Sequence, residues 1–105
     1  MSASNDIATL QQLQQTADLM KAMGHPVRLC ILKRLTDNGL TNVQQLQHCL
    51  SAPQSTVSQH LAVLRSAGII QGQRQGLEIH YHVIHPLVPA LMKLLNLSAN
   101  KTGAT

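Results

Sequence analysis

Aromatic side chains are almost absent from this chain of 105 residues, which has one Tyr and neither Phe nor Trp. Hydrophobic residues nevertheless make up 44% of the sequence. A core must therefore be built from Leu, Ile, Val, Met and Ala, and such a core favours packed helices over a β-sandwich. The length corresponds to one domain, which as a monomer buries only about two-thirds of the surface of its unfolded chain. Association with a second copy would add to its stability.

Acidic residues are also scarce. Four Asp and Glu stand against eight Lys and Arg, which gives a formal net charge of +4 and an isoelectric point near 9.6. This balance gives mild support for a polyanionic partner. Few carboxylates, no glycine-rich phosphate loop and no Gly-x-Ser-x-Gly turn together predict that the protein is not an enzyme and uses no cofactor.

Long apolar runs are missing as well. No run reaches the roughly 18 residues of a membrane-spanning helix, and residues 1–12 have neither the basic start nor the apolar centre of a signal peptide. The sequence therefore predicts a cytoplasmic protein without a membrane partner.

Apolar spacing predicts five helices and one β-hairpin. The first helix runs from Leu10 to Met23, and the second begins at Pro26 and closes at Asn38-Gly39. Thr41 and Gln44 match a capping box at the start of the third helix. Both terminal helices carry apolar seams typical of a dimer interface: Leu10, Leu13, Ala17 and Met20 on the first, and Val88, Leu91 and Leu95 on the last. Packing of these two helices within a monomer is the alternative.

The segment from Ala52 to Gly68 divides into an apolar face and a polar face. Val57, Leu61 and Leu64 share one stripe, which can dock on a core. Short amides and hydroxyls stand near the other side, where they can reach base edges in a major groove. The pattern therefore predicts a DNA-recognition helix, although a solvated amphipathic helix would show a similar one. The candidate contacts on it are Gln54, Ser55, Thr56, Ser58, Gln59, His60 and Arg65.

After Gly68 the apolar period changes from 3.6 to 2. Leu77, Ile79, Tyr81 and Val83 alternate with polar residues, which predicts a half-buried strand. Ile69-Ile70 supplies a shorter partner across residues 72–76, so a hairpin follows the recognition helix. Its expected tip, residues 73–76, brings Arg74 and Gln75 within reach of DNA phosphates. A surface ion pair with Asp37 or Glu78 is the alternative for Arg65.

Several phrases resemble the ArsR/SmtB family of winged-helix repressors. They are KAMGHPVRL at residues 21–29, PQSTVSQHL at residues 53–61 and RSAGII at residues 65–70, joined by RQGLEIHY at residues 74–81 and KLLN at residues 93–96. The resemblance covers roughly residues 17–97. It implies a mainly α, dimeric winged helix-turn-helix, in which two recognition helices enter successive major grooves and a chemical signal relieves repression. We therefore expect residues 1–97 to form one DNA-binding and dimerisation domain, and residues 98–105 to be a disordered tail.

Histidines and cysteines are the candidate sensors of the signal that relieves repression. The cysteine and carboxylate motifs of the metal-sensing members are missing, so no metal site is predicted; His80, His82 and His85 form only a weak candidate zinc set. Cys30 and Cys49 are either small core residues or a thiol switch of the kind that other members of the family use. Two further alternatives remain: a repressor without an effector, and a winged helix that binds another protein. The polar character of the recognition face argues against the second of these.

Overall fold

The computed structural model describes residues 3–97. Within that range the elements are α1 (Ala3–Met23), α2 (Pro26–Asn38), β1 (Thr41–Asn42), α3 (Val43–Leu50), α4 (Gln54–Ser66), β2 (Ile70–Gln75), β3 (Glu78–Val83) and α5 (Leu87–Leu94). The order confirms the predicted winged helix-turn-helix, in which α3 and α4 form the helix-turn-helix and β2 and β3 form the wing. The expected disordered tail, residues 98–105, lies outside the described residues.

The core is aliphatic, as the composition predicts. Each fully buried Leu, Ile, Val or Met side chain contributes about 1.5 to 3 kcal/mol relative to exposure. Tyr81 closes the edge of the core on β3 and is 7% exposed. The most deeply buried side chains come from α2, α3, α4, the start of β2 and α5: Ile31, Leu32, Leu35, Leu46, Val57, Leu61, Leu64, Ile69, Ile70, Val88 and Met92.

The second helix begins and ends where the sequence predicts. Pro26 occupies its first turn, and the Nδ1 atom of His25 accepts a hydrogen bond from the backbone N–H of Val27 at 3.0 Å. Gly39 follows the helix with φ +75°, a conformation that glycine adopts without strain.

The capping box of α3 lies one residue later than predicted. Asn42 and Gln45 form it, with reciprocal bonds of 2.8 and 2.9 Å, in place of Thr41 and Gln44. Thr41 is instead buried and pairs with Tyr81 in a third strand, β1, that the sequence analysis missed. Two residues are too few to show an alternating pattern, so this strand exists only through its pairing with β3.

The wing is longer and its turn tighter than predicted. Strand β2 extends to Gln75, which pairs with Glu78, so the turn consists of Gly76 and Leu77 alone. Leu77 therefore belongs to the tip and not to the strand, and it is 98% exposed. The apolar pattern did not predict this extension of β2, because no apolar residue follows Ile70 on either face of the strand. Gly76, with φ +68°, permits the two-residue turn.

The terminal helices differ in how much of their apolar surface the protomer covers. Helix α1 starts at Ala3, seven residues before the predicted start, and packs on the core through Leu19, Ala22 and Met23. Val88, which we expected on an exposed seam of α5, is instead fully buried in the protomer together with Met92. No helix of the described range has the length and apolarity needed to cross a bilayer.

Candidate nucleic-acid interface

Helix α4 presents two chemically distinct faces. Val57, Leu61 and Leu64 are buried in the core, as predicted. Four polar side chains near the N-terminal half of the helix are exposed: Gln54, Ser55, Ser58 and Gln59. Thr56 is half-buried between these faces. Amide and hydroxyl groups on an exposed helix can both donate and accept hydrogen bonds, which is the requirement for reading base edges.

The turn before α4 fixes how that face is presented. Ser51 ends α3 in the left-handed conformation with φ 52°, and Pro53 occupies the N-cap of α4 in an extended conformation. Proline provides no side-chain acceptor, so the first N–H groups of α4 are not capped by Pro53. Backbone donors at a helix start can bind a phosphate oxygen, and the helix dipole favours this contact.

His60 is half-buried at the edge of the exposed face. Its Nδ1 atom lies 3.1 Å from Nη1 of Arg28 on α2, and its ring centroid lies 4.4 Å from that of His25. Burial, followed by the charges of His25 and Arg28, lowers the pKa of His60 below 6.5. His60 follows Val57 by three residues and precedes Leu64 by four, which brings its ring to α2, and a DNA contact of His60 stays a prediction.

The cations of the predicted interface lie on both sides of a groove between α4 and the wing. Arg65 and Arg74 line this groove of about 530 Å³ together with Ile79 and Tyr81. Arg74 lies on strand β2 and not on a loop, and its Nη1 donates to the carbonyl oxygen of Gly76 at 3.4 Å. Gln75 is exposed beside it. The wing thus carries its cation next to the turn.

The two carboxylates considered as ion-pair partners of Arg65 contact other residues. Asp37 pairs with Lys33 on the same helix at 2.9 Å. Glu78 contacts the Nε2 atom of His80 at 3.2 Å and accepts from Asn42 Nδ2 at 3.1 Å. Arg65 itself is exposed in the last turn of α4.

The three wing-side histidines are not brought together as ligands. His80 contacts Glu78, and His85 Nδ1 accepts from the backbone N–H of Leu87 at 3.2 Å. His82 Nδ1 is buried without a hydrogen-bond partner. Between residues 3 and 97, no group of three or more His, Cys, Asp or Glu side chains is placed to hold a metal ion.

The two cysteines lie on different helices and are both free thiols. Cys30 on α2 is half-buried, and Cys49 on α3 is exposed. The view that both are core residues is therefore wrong for Cys49. Helices α2 and α3 pack against each other.

Exposed apolar side chains lie along α1 and at the end of α5. Leu10, Leu13 and Met20 are each more than half exposed, and Ala17 is exposed beside them. Leu95 is also exposed, whereas Leu91 packs partly on the core. Ile7 on α1 and Leu94 on α5 are exposed as well and were not predicted. We call the exposed residues Ile7, Leu10, Leu13, Ala17 and Met20 the α1 seam.

Sequence reasoning assigned no role to His25 and Arg28. Both lie in the phrase that carried the family resemblance, yet neither follows an apolar period. The available signal was the position of His60 beside the buried stripe of α4, where a half-buried polar side chain is placed to find a partner on the neighbouring helix.

Comparisons with known proteins agree with this geometry. The model of "Bacterial regulatory protein, arsR family" matches residues 25–71. The transcriptional repressor PagR of Bacillus anthracis is 45% identical over 84 residues, covering 80% of this chain and 84% of PagR. Its crystal structure superposes with a TM-score of 0.76 at 44% identity, over 83% of this chain and 99% of that one.

Two further solved structures are similar. Reduced HlyU from Vibrio cholerae has a TM-score of 0.80 at 29% identity and covers 90% of this chain and 98% of its own. The homodimeric winged helix-turn-helix DNA-binding domain Mb0332 from Mycobacterium bovis has a TM-score of 0.75 at 27% identity, with coverage of 85% and 82%.

Proposed function

Because this chain belongs to the arsR family of bacterial regulatory proteins and is a transcriptional regulator, we propose that it is a homodimeric repressor of an operator with two half-sites. The described domain, residues 3–97, carries both DNA binding and dimerisation in this proposal. The observation that carries it is the division of α4 into a buried stripe and an exposed polar face. Similarity to a protein named as a transcriptional repressor supports the direction of regulation.

Sequence is read by the exposed face of α4. Base edges or neighbouring phosphates in the major groove are contacted by Gln54, Ser55, Ser58 and Gln59. Thr56, at the edge of this face, contacts the sugar-phosphate backbone of the DNA. Arg65 and Arg74, with Gln75, contact phosphates and so position the protein without reading sequence. The positive net charge strengthens these contacts through release of counterions.

Two protomers associate through the α1 seam and the end of α5, where Leu95 is exposed and Leu91 is partly buried. Exposed apolar side chains on one face of a long helix are typical of a surface that another chain covers. The homodimeric domain Mb0332 has the same fold. A two-fold dimer places its recognition helices about 34 Å apart, one turn of DNA, which matches two half-sites on one face of the duplex.

The releasing signal is oxidation of a thiol. Cys49 is exposed and Cys30 half-buried on a neighbouring helix, and a relative of the same fold is described in a reduced form. Oxidants attack accessible thiolates. A bridge or adduct at α2 and α3 would shift the helix-turn-helix and favour the DNA-free state.

Footprinting of the purified protein on DNA of its own genome tests this function. We expect protected sites with two half-sites on one face, lost after treatment with peroxide or polysulfide and restored by a reductant, with zinc giving no effect. Binding without sequence preference would contradict the proposed function. Protection that survives every treatment would instead indicate a repressor without an effector.

A further inference from the structure

Arg28 lies where three helices meet. Its Nε atom donates to the carbonyl oxygen of Ala22 in the last turn of α1, and its Nη1 atom lies 3.1 Å from Nδ1 of His60 on α4. The ring of His25, which caps α2 through Val27, lies against the His60 ring with centroids 4.4 Å apart and a tilt of 39°. One side chain of α2 therefore fastens the recognition helix to the end of α1.

The bond between Arg28 and His60 fixes the protonation state of the imidazole. A guanidinium group has only donors, so Nδ1 of His60 must accept. The proton of the neutral ring is then on Nε2. Protonation of Nδ1 removes the acceptor and places a second cation within 3.1 Å of the guanidinium.

The charged and titratable groups near this contact come from all three helices. Helix α2 contributes His25 and Arg28, and helix α4 contributes His60 itself. Helix α1 contributes Asp18 and Lys21, which line a groove of about 630 Å³ next to Arg28. The Asp18 carboxylate accepts from Gln14 Nε2 at 2.9 Å and is the acidic group on this groove.

We propose that Arg28 is a positioning residue for the DNA-reading helix, acting through neutral His60, and that a proton on His60 releases this hold and weakens operator binding. The proposal rests on the proposed reading of DNA by α4. It makes operator binding depend on pH as well as on oxidation, and this pH dependence involves neither cysteine.

Two arrangements of Arg28 follow from the geometry. With His60 neutral, the guanidinium bridges α1 and α4. With His60 protonated, repulsion turns the guanidinium into the groove, where the Asp18 carboxylate can pair with it. Burial and the two neighbouring charges hold the pKa of His60 below 6.5, so the change occurs on the acid side of neutrality.

The second arrangement loosens α4 relative to α1, the helix whose exposed seam we propose to dimerise. The distance between the two recognition helices is then less fixed, and base contacts, which need accurate geometry, weaken. Phosphate contacts tolerate displacement, and they gain from added positive charge. The ratio of specific to nonspecific affinity therefore falls in acid.

The test uses the full chain and a duplex that the wild type selects from a random pool at about pH 8, with a scrambled duplex of equal composition. Between about pH 8 and pH 5.5 we expect the affinity ratio to fall about tenfold for the wild type. His60→Asn keeps an acceptor near the Nδ1 position without binding a proton, so its ratio should stay within about twofold. His48→Asn, at an exposed histidine of α3, should follow the wild type.

A ratio that falls equally in the wild type and in His60→Asn would overturn the proposal, as would a wild-type ratio that does not change.

The nitrogen NMR spectrum of the imidazoles gives a readout without DNA. We expect His60 to carry its proton on Nε2 at neutral pH, and amide exchange in α4 to accelerate when the ring is protonated. A proton on Nδ1 at neutral pH would overturn the proposal even if no operator were selected, whereas failure of selection alone would count against the proposed function.

Discussion

Nη1 of Arg28 on α2 and Nδ1 of His60 on α4 lie 3.1 Å apart. Arg28 therefore holds the recognition helix through His60, a side chain that can take up a proton on the acid side of neutrality. This contact has consequences for stability as well as for DNA binding.

The free energy of unfolding should depend on pH through His60. Its pKa in the folded protein lies below the ordinary value of 6.5, so the unfolded chain takes up this proton first as the pH falls. The stabilisation is complete above about pH 6.5 and is lost as the pH falls through the lower, folded value. Urea unfolding of wild type and His60→Asn at one protein concentration should show the wild type losing more stability in acid. If the free energy of unfolding fell with pH by the same amount in both proteins, His60 would not be the titrating group.

Arg74→Ala should weaken binding to every DNA sequence alike. A phosphate contact neutralises one charge, so its loss should reduce the slope of log affinity against log salt by about one. Arg34→Ala, at an exposed arginine of α2 outside the proposed interface, is the matched control and should keep the wild-type slope. An Arg74→Ala slope equal to that of the control would remove Arg74 from the interface.

Leu13→Glu should dissociate the dimer. Leu13 is 58% exposed in the protomer, so the change leaves the core untouched, but a carboxylate buried between two chains costs several kcal/mol. Gln11→Glu introduces the same charge at another exposed position of α1 and should leave the dimer intact. Sedimentation velocity distinguishes the two, and a stable Leu13→Glu dimer would place the interface elsewhere.

The double variant Cys30→Ser, Cys49→Ser should bind the operator but lose the response to peroxide or polysulfide. Cys49→Ser alone should account for most of this loss, since Cys49 is the exposed thiol and exposure governs access of an oxidant. Gel shifts with and without oxidant measure the effect. An identical response in wild type and double variant would exclude both thiols as the sensor.

Side-chain periodicity predicted those parts of the fold that depend on local pattern. The stripe of Val57, Leu61 and Leu64 follows from helix geometry. The start of α2 at Pro26 and its end at Gly39 follow from backbone preferences. Strand β1 and the length of β2 were not predictable in this way, because pairing with β3 creates them. The capping box shifts from Thr41 to Asn42 for the same reason, because Thr41 pairs with Tyr81 in the sheet.

The candidate interface was predicted to a similar extent. Exposure of Gln59 and its neighbours follows from their positions opposite the apolar stripe. The half-buried position of His60 also follows from its place beside the stripe, but its partners do not, because Arg28 of α2 and the N-cap His25 lie more than 30 residues away along the chain. The sequence analysis wrongly put Val88 on the exposed side of α5. A short helix with apolar residues on several sides can bury any of them in the core, so spacing alone does not say which.

The central claim is that the exposed face of α4 reads DNA sequence, and the affinity of Gln59→Ala for cognate and scrambled duplexes tests it most directly. Loss of a base contact costs about 1 to 3 kcal/mol. The account predicts that Gln59→Ala loses at least about fivefold in cognate affinity, with the scrambled duplex and the circular dichroism spectrum unchanged, while Gln11→Ala binds like the wild type. An equal loss on both duplexes, or none on either, would contradict it.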